Sequence, residues 1–269
     1  MKPIEQLIAD ACLGARTGDE LEHDLPGFVA RYGLSPEQAR ALRADGRRLL
    51  AYRLLVRNNL AGVVFKMMAR TRARAPIAFD RTFVQFLDEV GPKSHYLRDV
   101  PHELFAWARA RWEADATLPP YLVDLAAYEL AEYAVSAAEE PAPPVLIDVA
   151  LDRAIAFAAH ARFARYRFAV HTLPDDPADA TVPEQRDVAL VLYRDADEAL
   201  ASLELSPLHA AAIERLLAGD VLEAALRSAA AAQGVALDDA VLVSFAEVIT
   251  ELGERGVVLG GLTVTSPSG

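Results

Sequence analysis

The sequence has few of the residues that build catalytic or metal centres. Of its 269 residues only Cys12 is a cysteine, so the chain can form neither an internal disulfide nor a thiolate metal cluster. Its six histidines do not recur at a helical metal-binding spacing, and it has no H-E-x-x-H, glycine-rich phosphate loop or G-x-S-x-G motif. These absences argue against an enzyme with its own cofactor. We therefore expect no catalytic residue, no metal and no cofactor.

Long hydrophobic runs are also missing. The apolar clusters, such as residues 145–147, are far shorter than the roughly 20 residues that span a bilayer. The opening MKPIEQLIADACLGA mixes acidic residues into its apolar pattern and lacks the continuous apolar region of a secretory signal. We therefore expect a cytoplasmic protein without a membrane partner. A length of 269 residues and a hydrophobic content of 53% are enough for two folded domains.

The first half of the sequence has the pattern of a helical bundle. Residues 3–14 predict a short amphipathic helix, and Ser35, Pro36 and Gln38 predict the next start through a capping box. Apolar periodicity continues from there to about Arg74. The core contacts expected along this segment are Leu49, Leu50, Leu54, Leu60, Val64 and Met67. Three more helices are expected, one over roughly 79–90 and one on each side of the LPP at 118–120.

A proline-rich connector, SAAEEPAPPV at 136–145, precedes a change of pattern. The segment LDRAIAFAAHARFA, 151–164, predicts a helix. Three strand patterns follow, namely the alternating RYRFAVHTL, the continuously apolar DVALVLYR and the alternating ALASLEL. In the first, Tyr166, Phe168 and Val170 share one face. An antiparallel sheet with DVALVLYR in its centre is the expected arrangement.

Three helices follow the strands. Ser206 and Asp220 are expected to cap the first two, and the third has an apolar stripe that contains Val241, Phe245, Val248 and Leu252. Each ends at a glycine, which suits a left-handed C-terminal position; these are Gly219, Gly234 and Gly256. The last apolar segment, VVLGGLTV, is a candidate further strand of the sheet, and the tail TSPSG is expected to fray.

These patterns predict a mainly α protein of two domains. Residues 1–140 are expected to form an all-α helical bundle, and residues 141–164 a connector and a helix. Residues 165–264 are expected to form an α+β winged-helix-like unit, in which a three-stranded antiparallel sheet accompanies three helices.

Charge is segregated between the two halves. Residues 40–81 contain eleven basic and two acidic residues, a net of +9, whereas residues from Gln185 onward contain five basic and thirteen acidic ones, a net of -8. A DNA-binding winged helix neutralises phosphates with Lys and Arg, and the acidic third helix does not fit this role. An extended peptide could instead add a strand to the sheet edge, although an edge can also be merely solvated. The basic segment 40–81 leaves open a DNA-binding transcriptional regulator, a docking surface for an acidic protein or a simple solvated face.

Several motifs resemble a known family. The stretches YRLLVRNNL, FDRTFVQFLDEV, HYLRDVPHELFAWARARW and LPPYL resemble the N-terminal helical domain of HvfC/BufC-type proteins. The stretches RYRFAVHTLP, LVLYRDADEALASLELSP and ELGERGVVLGG resemble their C-terminal unit and the peptide-recognition element of PqqD-like proteins. The resemblance covers most of residues 45–260. It implies a non-catalytic partner that forms a heterodimer with a multinuclear non-haem iron oxidative enzyme. Such a partner binds the leader of a ribosomally made precursor peptide and presents its cysteine-containing core to the enzyme.

Two sets of candidate site residues follow from the resemblance and the patterns. The peptide-binding set lies on the ALASLEL edge and the third helix and consists of Leu200, Ser202, Leu203, Glu204, Val241, Phe245 and Val248. The partner-docking set lies in the YRLLVRNNL and HYLRDV motifs and consists of Tyr52, Arg53, Arg57, Asn58, Asn59, Tyr96, Arg98 and Asp99. The acidic balance around the first set predicts a leader with basic residues. In the second set we expect at least one asparagine to form an internal hydrogen bond, and Arg57 to be the better docking residue.

Overall fold

The computed structural model describes residues 3–14, 17–44, 46–139, 141–142 and 145–262, so the tail TSPSG lies outside the described residues. The chain is mainly helical and contains small antiparallel sheets. Its contacts divide it into two compact units. Unit 1 comprises the described residues up to Leu130 together with Pro174–Thr181, and unit 2 comprises Ala131–Leu173 and the described residues from Val182 onward.

The first half of the chain forms helices, as its apolar periodicity predicts. The helices are α1 Pro3–Leu13, α2 Thr17–His23, α3 Leu25–Ala30, α4 Pro36–Ala44, α5 Gly46–Met67, α6 Ala69–Arg74, α7 Pro76–Glu89, α8 Val100–Ala114 and α9 Leu122–Ser136. A short 3-10 helix, Leu97–Asp99, precedes α8. The predicted capping box is present, because the Gln38 N–H donates to Ser35 Oγ at 3.2 Å and the Ser35 N–H donates to Gln38 Oε1 at 3.1 Å.

The apolar segment that was expected to run unbroken to Arg74 is divided into α4, α5 and α6. Between α5 and α6, Met68 has a non-helical backbone, with φ -126° and ψ 40°. The carboxylate of Glu129 on α9 accepts hydrogen bonds from the backbone N–H groups of Arg70 (2.8 Å) and Thr71 (2.9 Å). It therefore satisfies N–H groups in the first turn of α6, which allows a new helix to begin there.

The predicted core contacts of this segment are largely confirmed. Leu49, Leu60, Val64 and Met67 are buried, and Leu50 is partly buried against a core cluster that includes Leu7 and Phe28. Leu54 is the exception, since it is 62% exposed. It lies on the outer face of α5, opposite the buried stripe.

The strands form two three-stranded antiparallel sheets, both in unit 2. The strands are β1 Leu146–Ile147, β2 Ile155–Phe157, β3 Arg162–Phe168, β4 Gln185–Arg194, β5 Leu200–Leu205 and β6 Val258–Leu262. The orders are β3-β4-β5 and β1-β6-β2. In the first sheet Val191 pairs with Phe163 on one side and Leu203 on the other. The prediction of three antiparallel strands with DVALVLYR in the centre is confirmed. That stretch is continuously apolar because residues on both faces of β4, such as Val191 and Leu192, are buried.

Two predictions in this region are wrong. Residues 151–164 were expected to form a helix, but they contain a turn, β2 and the start of β3. The VVLGGLTV segment, a candidate further strand of the main sheet, does contain strand β6, but β6 pairs with β1 and β2 instead. The two errors have one cause. The apolar residues of β2 pair with the distant β6, and this long-range pairing overrides a local composition that favours a helix.

Three helices pack against one face of the β3-β4-β5 sheet, namely α10 Pro207–Leu217, α11 Leu222–Gln233 and α12 Asp239–Glu254. Ser206 caps α10 as predicted, through a 3.3 Å bond from the His209 N–H. Asp220 does not cap α11. Its carboxylate accepts from Arg215 (2.6 Å), and the α11 N–H groups of Leu222 and Glu223 donate to backbone carbonyls of residues 153 and 151. The three predicted glycines have positive φ values of 96°, 64° and 72°.

Among the described residues, no helix is long and apolar enough to cross a membrane.

Candidate functional site

The first candidate surface is the free edge of the main sheet. Among the described strands, β5 pairs with β4 alone, so its other edge has no strand partner. Leu203 points toward the helices and is partly buried in their core, while Leu200 is 39% exposed at the start of the strand. Ser202 pairs with Leu192 and is half-buried. An edge of this kind can accept an added strand through main-chain hydrogen bonds.

Glu204, also predicted for this surface, has its carboxylate engaged within the protein. It accepts hydrogen bonds from the guanidinium of Arg186, one of them at 2.9 Å, and lies 3.3 Å from His171 Nε2. The hydrogen bond from Arg186 is the main cause that lowers the pKa of Glu204. This carboxylate is therefore already compensated and is a poor anchor for a basic side chain of a peptide.

Helix α12 lies beside the chain that leaves β5. His209, on the first turn of α10, places its Nε2 3.2 Å from Ser244 Oγ and its ring 5.9 Å from the ring of Phe245. At the other end of α12, Arg255 donates to the hydroxyl of Tyr193 on β4. Helix α12 is thus fixed against both α10 and the sheet.

The predicted α12 residues fall on different parts of the helix. Phe245 is buried, and Val248 packs at the margin of the same core that includes Leu203. Val241, one turn before Phe245, is half-buried. The structure thus brings Leu203, Phe245 and Val248 into one core, with Val241 beside them on the same helix. The contact of His209 with Ser244 was missed, because nothing in the sequence signals that these two positions meet.

A second opening lies on the other side of α12. It is an apolar groove of about 530 Å³ between α12, α11, β6 and the segment around residue 150. We call it the α11–α12 groove, and its lining includes Leu151, Leu226, Leu242, Ile249, Thr250 and Leu259. The sequence analysis did not identify it, although the spacing of positions 242, 246, 249 and 253 matches one helical face.

The partner-docking prediction divides into exposed and internal residues. Tyr52 is 58% exposed, and Asn58 and Asn59 are exposed on the same outer side of α5 as Leu54 and Leu55. The expectation that an asparagine forms an internal strut is therefore wrong. We call these five residues the α5 face. Its leucines and tyrosine make it an unusually apolar outer surface for a helix.

The two arginines of the motif point inward. Arg53 is 5% exposed, and its Nη1 donates to the carbonyls of Ala11 (3.0 Å) and Gly14 (3.1 Å) and to Thr17 Oγ1 (2.9 Å). Arg57 bonds the carboxylate of Asp88 on α7. Both arginines hold unit 1 together, so the expectation that Arg57 is the better docking residue is not supported by its position. Asn58 and Asn59, which directly follow Arg57, have the more accessible side chains.

The HYLRDV motif lies next to α5, since its 3-10 helix contacts that helix. Tyr96 is 64% exposed, and the guanidinium of Arg98 lies 5.4 Å from the centre of its ring. Asp99 is the residue before α8, but its side chain accepts from the hydroxyl of Ser94 at 2.6 Å and does not cap the helix. Tyr96 and Arg98 are therefore accessible, whereas Asp99 shapes the loop.

Three arginines at the end of the basic segment 40–81 are compensated within the protein. Arg70 is buried beside Glu129 (3.6 Å) and also bonds Asp175 (3.3 Å). Arg72 forms two bonds with Asp80, at 2.6 and 2.9 Å. Arg74 pairs with Asp179 at 3.6 Å, and its side chain is 7% exposed. These arginines do not form the open cationic face that phosphate binding requires.

The sheet β3-β4-β5 and the three helices after it are similar to part of a known family. Residues 158–253 match the family model of the HvfC C-terminal domain. The match covers β3 to β5, α10, α11 and nearly all of α12, which are the elements that build the β5 edge and the α12 surface. No curated protein matches the chain. The match supports a relationship to HvfC-type proteins through this part of the chain.

Proposed function

We propose that this chain is a non-catalytic partner protein that binds the leader of a ribosomally made precursor peptide and presents the peptide's cysteine-containing core to a multinuclear non-haem iron oxidative enzyme. The observation that carries the proposal is the free β5 edge beside α12, in the segment that matches the HvfC C-terminal domain. In this proposal the second unit is a winged-helix-like peptide-recognition domain, and the helical part before it docks the enzyme.

The peptide is proposed to bind as an additional strand along β5. Main-chain hydrogen bonds to the edge supply affinity, while side chains that alternate along the added strand contact Leu200 and the region of Val241 and Val248. The firm attachment of α12 through His209 and Arg255 supports this role, because a fixed helix preserves the shape of the surface that receives the peptide.

The α5 face is proposed to dock the enzyme, together with Tyr96 and Arg98. Exposed tyrosine and leucine side chains provide apolar contact area, and Asn58 and Asn59 can hydrogen bond across the interface. Arg53 and Arg57 are assigned a structural role in shaping this helix. The DNA-binding alternative, which uses the basic segment 40–81, is less favoured because Arg70, Arg72 and Arg74 of that segment pair with carboxylates.

The test is a titration of the full chain with labelled candidate precursor peptides, taken from any short cysteine-bearing product encoded near this chain's gene. We expect saturable binding at micromolar concentrations. Leu200→Asp at the β5 edge should weaken binding at least tenfold, which corresponds to about 1.4 kcal/mol. Leu217→Asp is the matched control, because Leu217 is similarly exposed (43%) at the end of α10. Absence of saturable binding to the wild-type chain, or equal losses in both variants, would refute the proposal.

A further inference from the structure

The α11–α12 groove shares the buried Phe245 with the predicted peptide-binding set but differs in kind from the β5 edge. Its strand wall is β6, which is paired on one side with β1 and on the other with β2. The groove therefore has no free strand edge at β6 and cannot accept an added strand there. Whatever occupies it must insert side chains between α11, α12 and β6.

The groove lining is almost entirely apolar. Leu226 and Leu242 come from the two helices, Leu259 from β6, and Thr250 supplies the one side-chain hydroxyl among the lining residues. A small-molecule site of comparable volume normally also contains a few convergent polar groups that orient the ligand. This groove has an apolar floor and an open mouth, which is the composition expected at the centre of a protein interface.

The groove walls are held in place without an occupant. The backbone carbonyl of Leu151 accepts from the Glu223 N–H at 2.8 Å, and the carbonyl of Arg153 accepts from the Leu222 N–H at 2.9 Å. These bonds fix the segment around Leu151 to the start of α11. Even so, Leu151 is 51% exposed and Leu259 is 37% exposed. The groove is therefore held in shape while its apolar walls remain in contact with water. Binding of a partner would bury these walls.

Exposed carboxylates occur on the elements that line the groove. Glu247 and Glu254 directly follow the lining residues Ala246 and Gly253 on α12, and both are exposed. In the described part of the chain, neither has an ion-pair partner.

The segment around residue 150 carries exposed carboxylates as well. Asp148 directly precedes Val149, Asp152 directly follows Leu151, and both carboxylates are exposed. The side chain of Asp152 is 83% exposed, although it lies 3.9 Å from Arg153. On α11, Arg227 pairs with Glu223 at 2.6 Å. The elements that line the groove are together net negative and complementary to a cationic partner.

We propose that the α11–α12 groove binds an amphipathic helix of a partner protein, with apolar residues at i, i+3 or i+4 and i+7 on one face and Lys or Arg on its flanks. The apolar residues insert between α11 and α12, and the flanking cations meet the exposed carboxylates of α12 and of the segment around residue 150. This mode of binding does not use the β5 edge.

The test uses the full chain and a fluorescein-labelled synthetic helix of roughly 18 residues, long enough to form a helix in water. Its leucines follow the stated spacing and lysines flank them; a second peptide has glutamates in place of the lysines. We expect the lysine peptide to bind at micromolar concentrations and more weakly at high salt, and the glutamate peptide not to bind.

Two variants locate the binding. Ala246→Lys places a long cationic side chain at the mouth of the groove and should weaken binding at least tenfold. Ala231→Lys introduces the same change at an exposed position of α11, about 180° around that helix from the lining residue Leu222, and should alter it less than twofold. Equal effects of the two variants, or no binding by the wild-type chain, would overturn the proposal. Concentration-dependent dimerisation that Ala246→Lys abolishes would overturn it in favour of a second copy of this chain as the occupant.

Discussion

The guanidinium of Arg53 on α5 donates a 2.9 Å hydrogen bond to the hydroxyl of Thr17, the first residue of α2. The same nitrogen also reaches the carbonyls of Ala11 and Gly14 at the end of α1. Arg53 therefore joins three helices and satisfies carbonyl groups that α1 leaves free at its end. A motif residue that suggests docking in the sequence is a structural residue in the fold.

Arg53→Leu should destabilise unit 1 by about 3 kcal/mol, because it leaves buried carbonyls without a donor. The control is Asn59→Ala, which changes an exposed residue two turns further along α5 and should alter the free energy of unfolding by less than about 0.5 kcal/mol. Urea denaturation followed by circular dichroism measures both. An Arg53→Leu variant as stable as the wild-type chain would show that the buried hydrogen bonds contribute little.

Tyr52→Ala should weaken binding of the enzyme partner by about 1 to 2 kcal/mol without lowering stability, since Tyr52 is a large exposed side chain on the α5 face. Ile77→Ala is the matched control, because Ile77 is 85% exposed on α7 and lies outside that face. Pull-down or calorimetric titration with the purified enzyme distinguishes them. If only Ile77→Ala reduced binding, the docking surface would have to be assigned to α7.

Glu129→Ala should destabilise unit 1 by about 3 to 5 kcal/mol. Its carboxylate accepts from two N–H groups of α6 and, at 2.6 Å, from the hydroxyl of Thr71, and it lies beside the buried Arg70. Without this carboxylate, Arg70 loses its buried partner, and the N–H groups at the start of α6 lose their hydrogen-bond acceptor. Glu113→Ala removes an exposed carboxylate that pairs with Arg109 and should cost less than about 1 kcal/mol. Similar thermal unfolding of the two variants would contradict this role of Glu129.

His209 should make the folded state less stable at mildly acidic pH. Burial lowers the pKa of His209 below its ordinary value of about 6.5, so the unfolded chain takes up a proton at higher pH than the folded chain. Above pH 6.5 this residue has no such effect. As the pH falls below 6.5, stability is lost until the lowered pKa is reached.

The variant His209→Asn isolates this contribution, since burial also lowers the pKa values of His102 and His171. Urea midpoints of the wild-type chain should fall between pH 7.5 and pH 5.5 by more than those of His209→Asn. Identical changes in the two proteins would assign the acid sensitivity to the other histidines.

Local sequence signals predicted much of the fold. The capping box at Ser35 and the cap at Ser206 were predicted correctly, because each involves residues within one turn of each other. The central strand β4 was identified because burial on both faces leaves a continuous apolar run. The segment 151–164 was misassigned, since its strand state depends on pairing with β6 about 100 residues later.

The candidate sites were predicted less completely than the fold. Tyr52, Asn58 and Tyr96 are accessible as a docking surface requires, but Arg53 and Arg57 have internal partners. A helical repeat assigns residues to faces, yet it does not tell which face meets the rest of the protein. An arginine in an apolar stripe can extend to solvent or cap a neighbouring helix, and only the neighbour's position decides between these outcomes.

The sequence by itself determined the helical character of the first half, the antiparallel β3-β4-β5 sheet, the three helices after it and the opposite charge of the two halves. These properties depend on composition and on contacts between residues close in the chain. Only the tertiary structure decided that α6 begins at a carboxylate supplied by α9, that β6 forms a second sheet, and that an apolar groove opens beside α12. Each of these requires groups far apart in sequence to meet, and their meeting depends on the packing of the whole unit.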